Sequence, residues 1–493
     1  MRKSKPQQLL FAFADSPKGD GHVGGADESA RKTQPVHTAN DSHRSESTPP
    51  PAGGYCHLLE LVADQGNLRR ALTSVADNKG APGVDGRSVE DVEQEARQLL
   101  PRLRDALLTE TYVPGDIRRV WIPKPSGGQR GLGIPNVIDR WIQQAVRQVL
   151  EPIYEPTFHE SSHGFRPGRG THTAIAESAG YVKQGLRYTV DIDLENFFDR
   201  VHHQRLLDRL AQRVKDRRLL RIIRLMLKAN VVLPDGTRVK SEEGTPQGGP
   251  LSPLLSNIVL DELDQELERR GLSFVRYADD CNIYVGSERA GLRIMASVRS
   301  FIERRVRLKV NETKSAVDLA HRRHFLGFRV GGTRKGWLSV QLSRRTLDRI
   351  DTKIRALTPR SWGGRLSWCI KRLNRYLRGW IGYFKLITKE AWRTLRNLDA
   401  HIRRRLRAII IRQKKRPRYL FRHLVSRGCS WRSAVRTAFS RRGTWWQSNS
   451  GAMHRAYPNS WFVDSPVSLT DLWNQHRYDW RPLWGYRAEE PDV

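Results

Sequence analysis

The chain has 493 residues, 38% of them apolar, and carries 86 Lys and Arg against 52 Asp and Glu, a net charge of +34. That length exceeds one compact core and implies several domains, while a charge so far from zero calls for a polyanion to neutralise it, nucleic acid before any other. With no apolar run near 18 residues and no N-terminal signal pattern, a membrane surface is the weaker alternative and no membrane partner is expected, and Cys56, Cys281, Cys369 and Cys429, with no CxxC spacing, exclude a disulfide framework or zinc ribbon and imply a reducing, cytoplasmic setting.

Residues 1–54 are rich in Gly, Ser, Pro, His and mixed charge and cannot bury enough surface to offset ordering entropy, so they are expected to be disordered. Apolar residues then recur at helical steps from Leu58 to Val75 and again from Val89 to Leu108, on either side of the loop Ala81-Pro82-Gly83-Val84-Asp85-Gly86. Arg118 to Lys124 reads as a strand and Arg130 to Pro135 as its return, joined by a Pro-Ser-Gly-Gly tip. Such a basic hairpin can close over a triphosphate with Lys124 and Arg130 as clamps. Asp139 to Ile153 is a predicted helix, and Ser162 to Arg169 a basic loop. In Tyr188-Thr189-Val190-Asp191-Ile192-Asp193 a strand ends in acids, and an aromatic pair, Phe197-Phe198, follows at the predicted start of a helix. Asp191 and Asp193 share one strand face.

Val201 to Ala229 is mostly helical in pattern, and the loop Gly244-Thr245-Pro246-Gln247-Gly248-Gly249-Pro250 feeds a predicted helix from Leu254 to Leu267. Glycines there let backbone approach a ligand closely. Next, Phe274-Val275 and Ile283-Tyr284-Val285 flank Tyr277-Ala278-Asp279-Asp280, the spelling of a β-hairpin turn. Adjacent carboxylates at a hairpin tip repel, so the pair is either ordinary turn chemistry or half of a cation site. A helix from Leu292 to Val306, a strand and turn from Leu308 to Lys314, a short strand from His324 to Phe328, and amphipathic helices to Leu386 and from Leu395 to Ile411 complete the pattern. Residues 401–450 hold fifteen Lys or Arg and no Asp or Glu, with Tyr419, Phe421, Trp431, Trp445 and Trp446 interleaved. That bias marks a nucleic-acid surface, where phosphates take the cations and bases stack on rings.

The order of Ala-Pro-Gly-Val-Asp-Gly, Ile-Pro-Lys, Arg-x-Leu-Gly-Ile-Pro, Gly-Phe-Arg-Pro-Gly-Arg, Asp-x-x-x-Phe-Phe-Asp, Thr-Pro-Gln-Gly-Gly-Pro-Leu-Ser-Pro, Tyr-Ala-Asp-Asp and Phe-Leu-Gly-Phe resembles the group II intron-encoded reverse transcriptases and maturases, over roughly residues 58–450. The resemblance implies an α+β right-hand polymerase: fingers and an antiparallel palm sheet in 55–340, an α-helical thumb or maturase domain in 341–415, and a small basic DNA-binding segment in 416–493. A His-Asn-His endonuclease, found in many relatives, is not expected. The implied activity is RNA-directed DNA polymerisation from dNTPs with two Mg²⁺ ions. The implied partners are an intron RNA, whose splicing is assisted, and a target DNA into which the intron is copied during retrohoming in a bacterial cell. Other bacterial reverse transcriptases, of the retron, diversity-generating or defence kind, and a splicing factor with an inactive polymerase are the alternatives.

By the same resemblance Asp193, Asp279 and Asp280 are the catalytic, metal-holding acids, with Asp279 the direct ligand and Asp280 in support. Asp193 is preferred to Asp191 because Asp199 falls six residues on. Lys124, Arg130, Phe198, Gln247, Gly248 and Lys314 line the nucleotide site, with Phe198 against the sugar 2′ carbon and Lys314 as proton donor to pyrophosphate. Phe325, Leu326 and Gly327 form the primer grip. Arg378, Trp380, Tyr383, Arg403, Arg404, Arg405, Arg407, Lys414, Lys415 and Arg416 contact RNA or DNA.

Overall fold

The computed structural model describes residues 54–123, 127–332, 338–462 and 468–480. The expected disorder of residues 1–53 and the clamp residue Lys124 lie outside the described residues. Two compact units emerge: described residues 54–170 with 189–317, and 171–188 with 318–480.

In the first unit, helices pack around a buried core that includes Leu59, Leu68, Trp141 and Ile142. Local chemistry sets where these helices break. Asp64 accepts from the Asn67 amide at 2.9 Å and starts the helix Gln65–Asp77, so the long apolar pattern from Leu58 becomes two helices. Asp216 does the same within 201–229, splitting it into His203–Arg213 and Arg217–Leu227, and its second oxygen accepts from the Leu59 amide at 2.9 Å. The strands β1 (Ile117–Pro123) and β2 (Gln129–Ile134) form the expected antiparallel hairpin. β3 (Tyr188–Ile192) belongs to a separate sheet, whereas the short β4 (Val231–Val232) and β5 (Arg238–Val239) extend the first one in the order β2-β1-β4-β5. The second sheet runs β6 (Ser273–Tyr277), β7 (Asp280–Val285), β3 and β8 (Ala316–Leu319), and the chain passes from one unit to the other within β3 and β8. The aromatic pair after β3 forms a short 3-10 turn, Phe197–Asp199, in place of the expected helix start.

In the second unit, β9 (Phe328–Gly332) and β10 (Leu338–Leu342) pair antiparallel and pack on the helix Thr171–Lys183. The helices Leu366–Phe384 and Trp392–Gln413 follow. The division at 317 lies earlier than the expected 340, because the β9-β10 hairpin makes its packing with this unit. No break occurs at 416. Buried Asp399 accepts from Ser468 Oγ at 2.9 Å and from the amides of Leu469 and Thr470 at 2.8 and 3.1 Å, capping the helix Leu469–His476 and folding the end of the described chain into the same core. Trp473 Nε1 donates to the Ile387 carbonyl at 3.0 Å.

Candidate active site

The two acidic stretches meet in the second sheet of the first unit. Tyr277 and Asp280 are paired across the β6-β7 register, which leaves Ala278 and Asp279 as a two-residue hairpin turn. Ala278 has a left-handed φ of 57°, a conformation that costs a residue with a Cβ on the order of 1–2 kcal/mol, so the turn needs outside support. β7 is hydrogen-bonded to β3, at whose end Asp193 sits. The Asp193 backbone is tied at both groups: its amide donates to Ser315 Oγ at 3.0 Å, and its carbonyl accepts from the Asn311 amide at 2.8 Å. Asn311 Oδ1 in turn accepts from Thr313 Oγ1 at 2.8 Å and from the Lys314 amide at 3.3 Å, closing the turn that presents Lys314. Lys314 Nζ then lies 3.2 and 3.4 Å from the two oxygens of Asp193.

The carboxylates act on one another. Desolvation raises the Asp279 pKa and Asp193 adds to it, while Arg130 and Lys314 pull it down. Asp280 is pushed up to about 8, first by desolvation in the crowded cleft and then by Asp279, Asp191 and Asp193. Among the described residues no set of three or more His, Cys, Asp or Glu side chains stands close enough to hold an ion as they are placed. The donor chemistry nevertheless fits a hard divalent cation: oxygen ligands from separate strands that repel until a cation joins them. Lys314 supplies one such charge at Asp193.

Several of the residues expected at the nucleotide lie in this unit. Arg130, exposed near the start of β2, has a charge that reaches Asp279. The Gln247 carbonyl accepts from the Gly133 amide at 2.9 Å, fastening the Thr-Pro-Gln-Gly loop to β2. Gly248, at φ 134°, presses on the Gly133 carbonyl so closely that a Cβ has no room. Thr245 N donates to the Phe198 carbonyl at 2.6 Å, and His203 Nε2 bonds the Gly244 carbonyl at 2.7 Å. Of the aromatic pair, Phe197 is core and Phe198 is half-exposed, with the rings edge to face at 5.2 Å. Of the two, Phe198 is the more exposed, although it still packs against the core.

The remaining candidates lie in the second unit. His324 to Phe328 is a turn and not the expected strand: Phe325 and Phe328 exchange backbone bonds of 3.0 and 2.8 Å around Leu326 and Gly327, both at positive φ. Phe325 is buried, and Tyr383 Oη donates to the Leu326 carbonyl at 3.1 Å. Trp380 is only 9% exposed and packs on Phe384 at 4.7 Å, which makes it a packing residue rather than the RNA contact expected. Arg405 and Arg407 also depart from expectation. Arg405 Nε and Nη2 donate to Thr358 Oγ1 and O, each at 2.6 Å, and Arg407 Nε and Nη2 donate to the Tyr457 carbonyl at 3.0 and 2.7 Å. Both guanidiniums are buried and engaged within the unit, so neither is placed to meet a phosphate. Arg404 lies over the Trp445 ring at 4.0 Å and Arg360 at 5.1 Å, leaving that ring crowded by cations. Arg403 and Lys414 are half-exposed; Arg378, Lys415 and Arg416 are exposed, as are the rings of Tyr419 and Trp431.

Sequence reading passed over Arg276, Asp264, Asn257 and Ser162, which meet beneath the Ala278-Asp279 turn. One signal was available: an arginine between Val275 and Tyr277 in an apolar strand demands buried partners.

A sheet carrying acids at neighbouring strand ends, with a basic hairpin beside them, defines the class of template-directed polymerases. Comparison with known proteins takes the assignment further. Residues 122–330 match the family described as reverse transcriptase (RNA-dependent DNA polymerase), and residues 347–428 match the group II intron, maturase-specific domain. Protein YkfC of Escherichia coli (strain K12) is 34% identical over 304 residues, covering 53% of this chain and 78% of that protein. The group II intron-encoded protein LtrA of Lactococcus lactis subsp. cremoris is 38% identical over 213 residues, covering 42% of this chain and 34% of LtrA. A chain of a partial Cas6-RT-Cas1–Cas2 complex is similar at a TM-score of 0.33 and 25% identity over 50% of this chain and 42% of that one, a likeness too slight to build on. The chain belongs to the group II intron reverse transcriptase and maturase family, whose polymerase domain is generally dependent on divalent metal and whose substrates are RNA and DNA.

Proposed function

We propose that this protein binds its own group II intron RNA, assists its splicing, and copies it into DNA by target-primed reverse transcription with two Mg²⁺ ions. The observation that carries the reading is the convergence of Asp193, Asp279 and Asp280 at neighbouring strand ends, with the charges of Arg130 and Lys314 acting on them. When bound, the metal ions lower the cost of forming the attacking 3′-oxygen and of releasing pyrophosphate. Asp193, Asp279 and Asp280 would hold them. Arg130 steers and holds the triphosphate, the Gln247-Gly248 backbone lines the nucleotide, and Phe198 crowds a 2′-hydroxyl. Lys314 delivers a proton to the departing pyrophosphate oxygen. The maturase-domain match over 347–428 favours an intron RNA partner over the retron or defence alternatives, and the intact acids favour an active polymerase.

The test is the double substitution Asp279→Ala with Asp280→Ala. Primer extension on an RNA template should disappear, while RNA binding and assisted splicing persist. Surviving full-length cDNA would remove these carboxylates from the chemistry.

A further inference from the structure

Arg276 lies within β6, and its side chain is fully enclosed. A guanidinium offers five N–H donors, and here all of them are used. Nε and Nη2 grip Asp264 Oδ1 and Oδ2 at 2.7 and 2.5 Å. Nη2 also donates to Ser162 Oγ at 2.6 Å, and Nη1 donates to Asn257 Oδ1 at 3.1 Å and to the Ala278 carbonyl at 3.0 Å. Asn257 passes the connection on, its Nδ2 donating to the Gly164 carbonyl at 2.9 Å. The backbone reinforces the same clasp: Arg276 N donates to Ser161 O and His163 N to Arg276 O, each at 2.8 Å. Gly164 abuts the turn so tightly that a Cβ would run into the Ala278 amide nitrogen. Asn257 and Asp264, seven residues apart, share one face of the helix Ser252–Arg269. One guanidinium thus joins that helix, the 161–164 loop and the turn that carries Asp279.

We propose that Arg276 is the positioning residue of the acidic turn. Its bond to the Ala278 carbonyl fixes the left-handed residue from which Asp279 and Asp280 follow, and Asp264, Asn257 and Ser162 fix the guanidinium itself. Ala278 cannot hold this conformation through its own preference, and the carbonyl bond is what selects it. Lysine at 276 would keep the charge opposite Asp264, yet its donors radiate from one nitrogen and cannot reach Ala278, Asn257 and Ser162 together. The turn would then be held by Gly164 and the β-ladder alone. A displacement of about 1 Å at reacting groups costs on the order of 10²-fold in rate. The inference rests on the polymerase reading for its catalytic consequence.

The experiment compares the full-length wild type with Arg276→Lys and Ser162→Ala. Thermal unfolding and RNA binding report the fold, Mn²⁺ titration followed by electron paramagnetic resonance reports the acids without turnover, and primer extension across Mg²⁺ and dNTP concentrations reports chemistry. The expected result for Arg276→Lys is RNA binding within about twofold of wild type, Mn²⁺ affinity lowered about tenfold, and kcat lowered about 10²-fold with the dNTP KM within a few-fold. Ser162→Ala should move both values the same way by less. A folded Arg276→Lys variant with wild-type Mn²⁺ affinity and kcat overturns the assignment. Should Arg276→Lys fail to fold, Ser162→Ala decides, and wild-type values there overturn it. If wild type itself makes no cDNA, the polymerase reading fails while the Mn²⁺ comparison still judges Arg276; a wild type that binds no Mn²⁺ overturns both.

Discussion

Lys314 Nζ stands 3.2 Å from Asp193 Oδ1, so the ammonium already occupies oxygens that a metal ion would need. The same charge partly offsets the upward shifts that desolvation and neighbouring carboxylates give Asp279 and Asp280. Under the proposed function Lys314 has two parts, as competitor for the metal-holding oxygens and as proton donor, and a substitution separates them. Removing it as Lys314→Met should lower the Mg²⁺ concentration giving half-maximal extension, because one competitor is gone. It should also cut kcat by about 10²-fold or more, the usual worth of a placed proton donor. Steady-state extension across Mg²⁺ concentrations, in H₂O and D₂O, measures both. A kcat unchanged with its solvent isotope effect intact removes Lys314 from proton transfer.

Phe198 is half-exposed while Phe197 fills the core, so the two rings have different tasks. Phe198→Ala should open room at the sugar and raise rNTP incorporation relative to dNTP by at least about tenfold, with thermal stability little changed. Phe197→Ala should instead lower stability by about 3–5 kcal/mol. Single-nucleotide extension with paired dNTP and rNTP, beside a melting curve for each variant, tells them apart.

The turn, the strand ending at Asp193 and the basic hairpin were all legible in the sequence because each is local: strand formers around turn residues, with charge at the tip. What was not legible depends on partners far along the chain. Arg276 meets Ser162, 114 residues away, and nothing in its neighbours names that partner. Arg405 and Arg407 looked like surface cations because the 401–450 run has no acids. The helix Trp392–Gln413 is apolar on most sides from Arg405 to Ile411, with Leu406, Ala408, Ile409, Ile410 and Ile411 all buried, and arginines in such a stretch go inside with it. The division at 317 was hidden for a similar reason. It depends on the helix Thr171–Lys183 packing against strands more than 140 residues later.

Asp261 offers a test through pH. It is buried, Oδ1 has no hydrogen-bond partner among the described residues, and Oδ2 accepts from Gln265 Nε2 at 2.6 Å. Desolvation and then the neighbouring Asp264 push its pKa from 3.8 to about 6. The folded state thus holds this proton more tightly than the unfolded chain does. Stability is greatest with the acid protonated and falls as pH rises from about 4 to about 6, then levels. Asp261→Asn should match wild type near pH 4 and exceed it above pH 6, by on the order of 2–3 kcal/mol at most. Denaturant melts across that range check it; a constant difference at every pH would mean that Asp261 does not titrate in this window.

The basic surface gives the last prediction, and burial divides it. Lys415 and Arg416 are exposed and Lys414 half-exposed at the end of the helix Trp392–Gln413, whereas Arg405 and Arg407 bond carbonyls inside the unit. If the surface engages roughly six to ten phosphates, RNA affinity should fall by about 10³–10⁵-fold between 50 and 200 mM salt. Replacing Lys414, Lys415 and Arg416 together with Gln should weaken binding and reduce the slope of log affinity against log salt by about three, leaving the melting temperature near wild type. Arg405→Gln and Arg407→Gln should do the opposite, lowering stability because Thr358 and Tyr457 lose their donors, while the salt slope of the folded fraction stays put. Filter binding at several salt concentrations, with a melt of each variant, separates the groups. A salt slope unmoved by the triple substitution would place the phosphates elsewhere, and a slope lowered by Arg407→Gln in a fully folded protein would show that its guanidinium leaves the core to bind RNA.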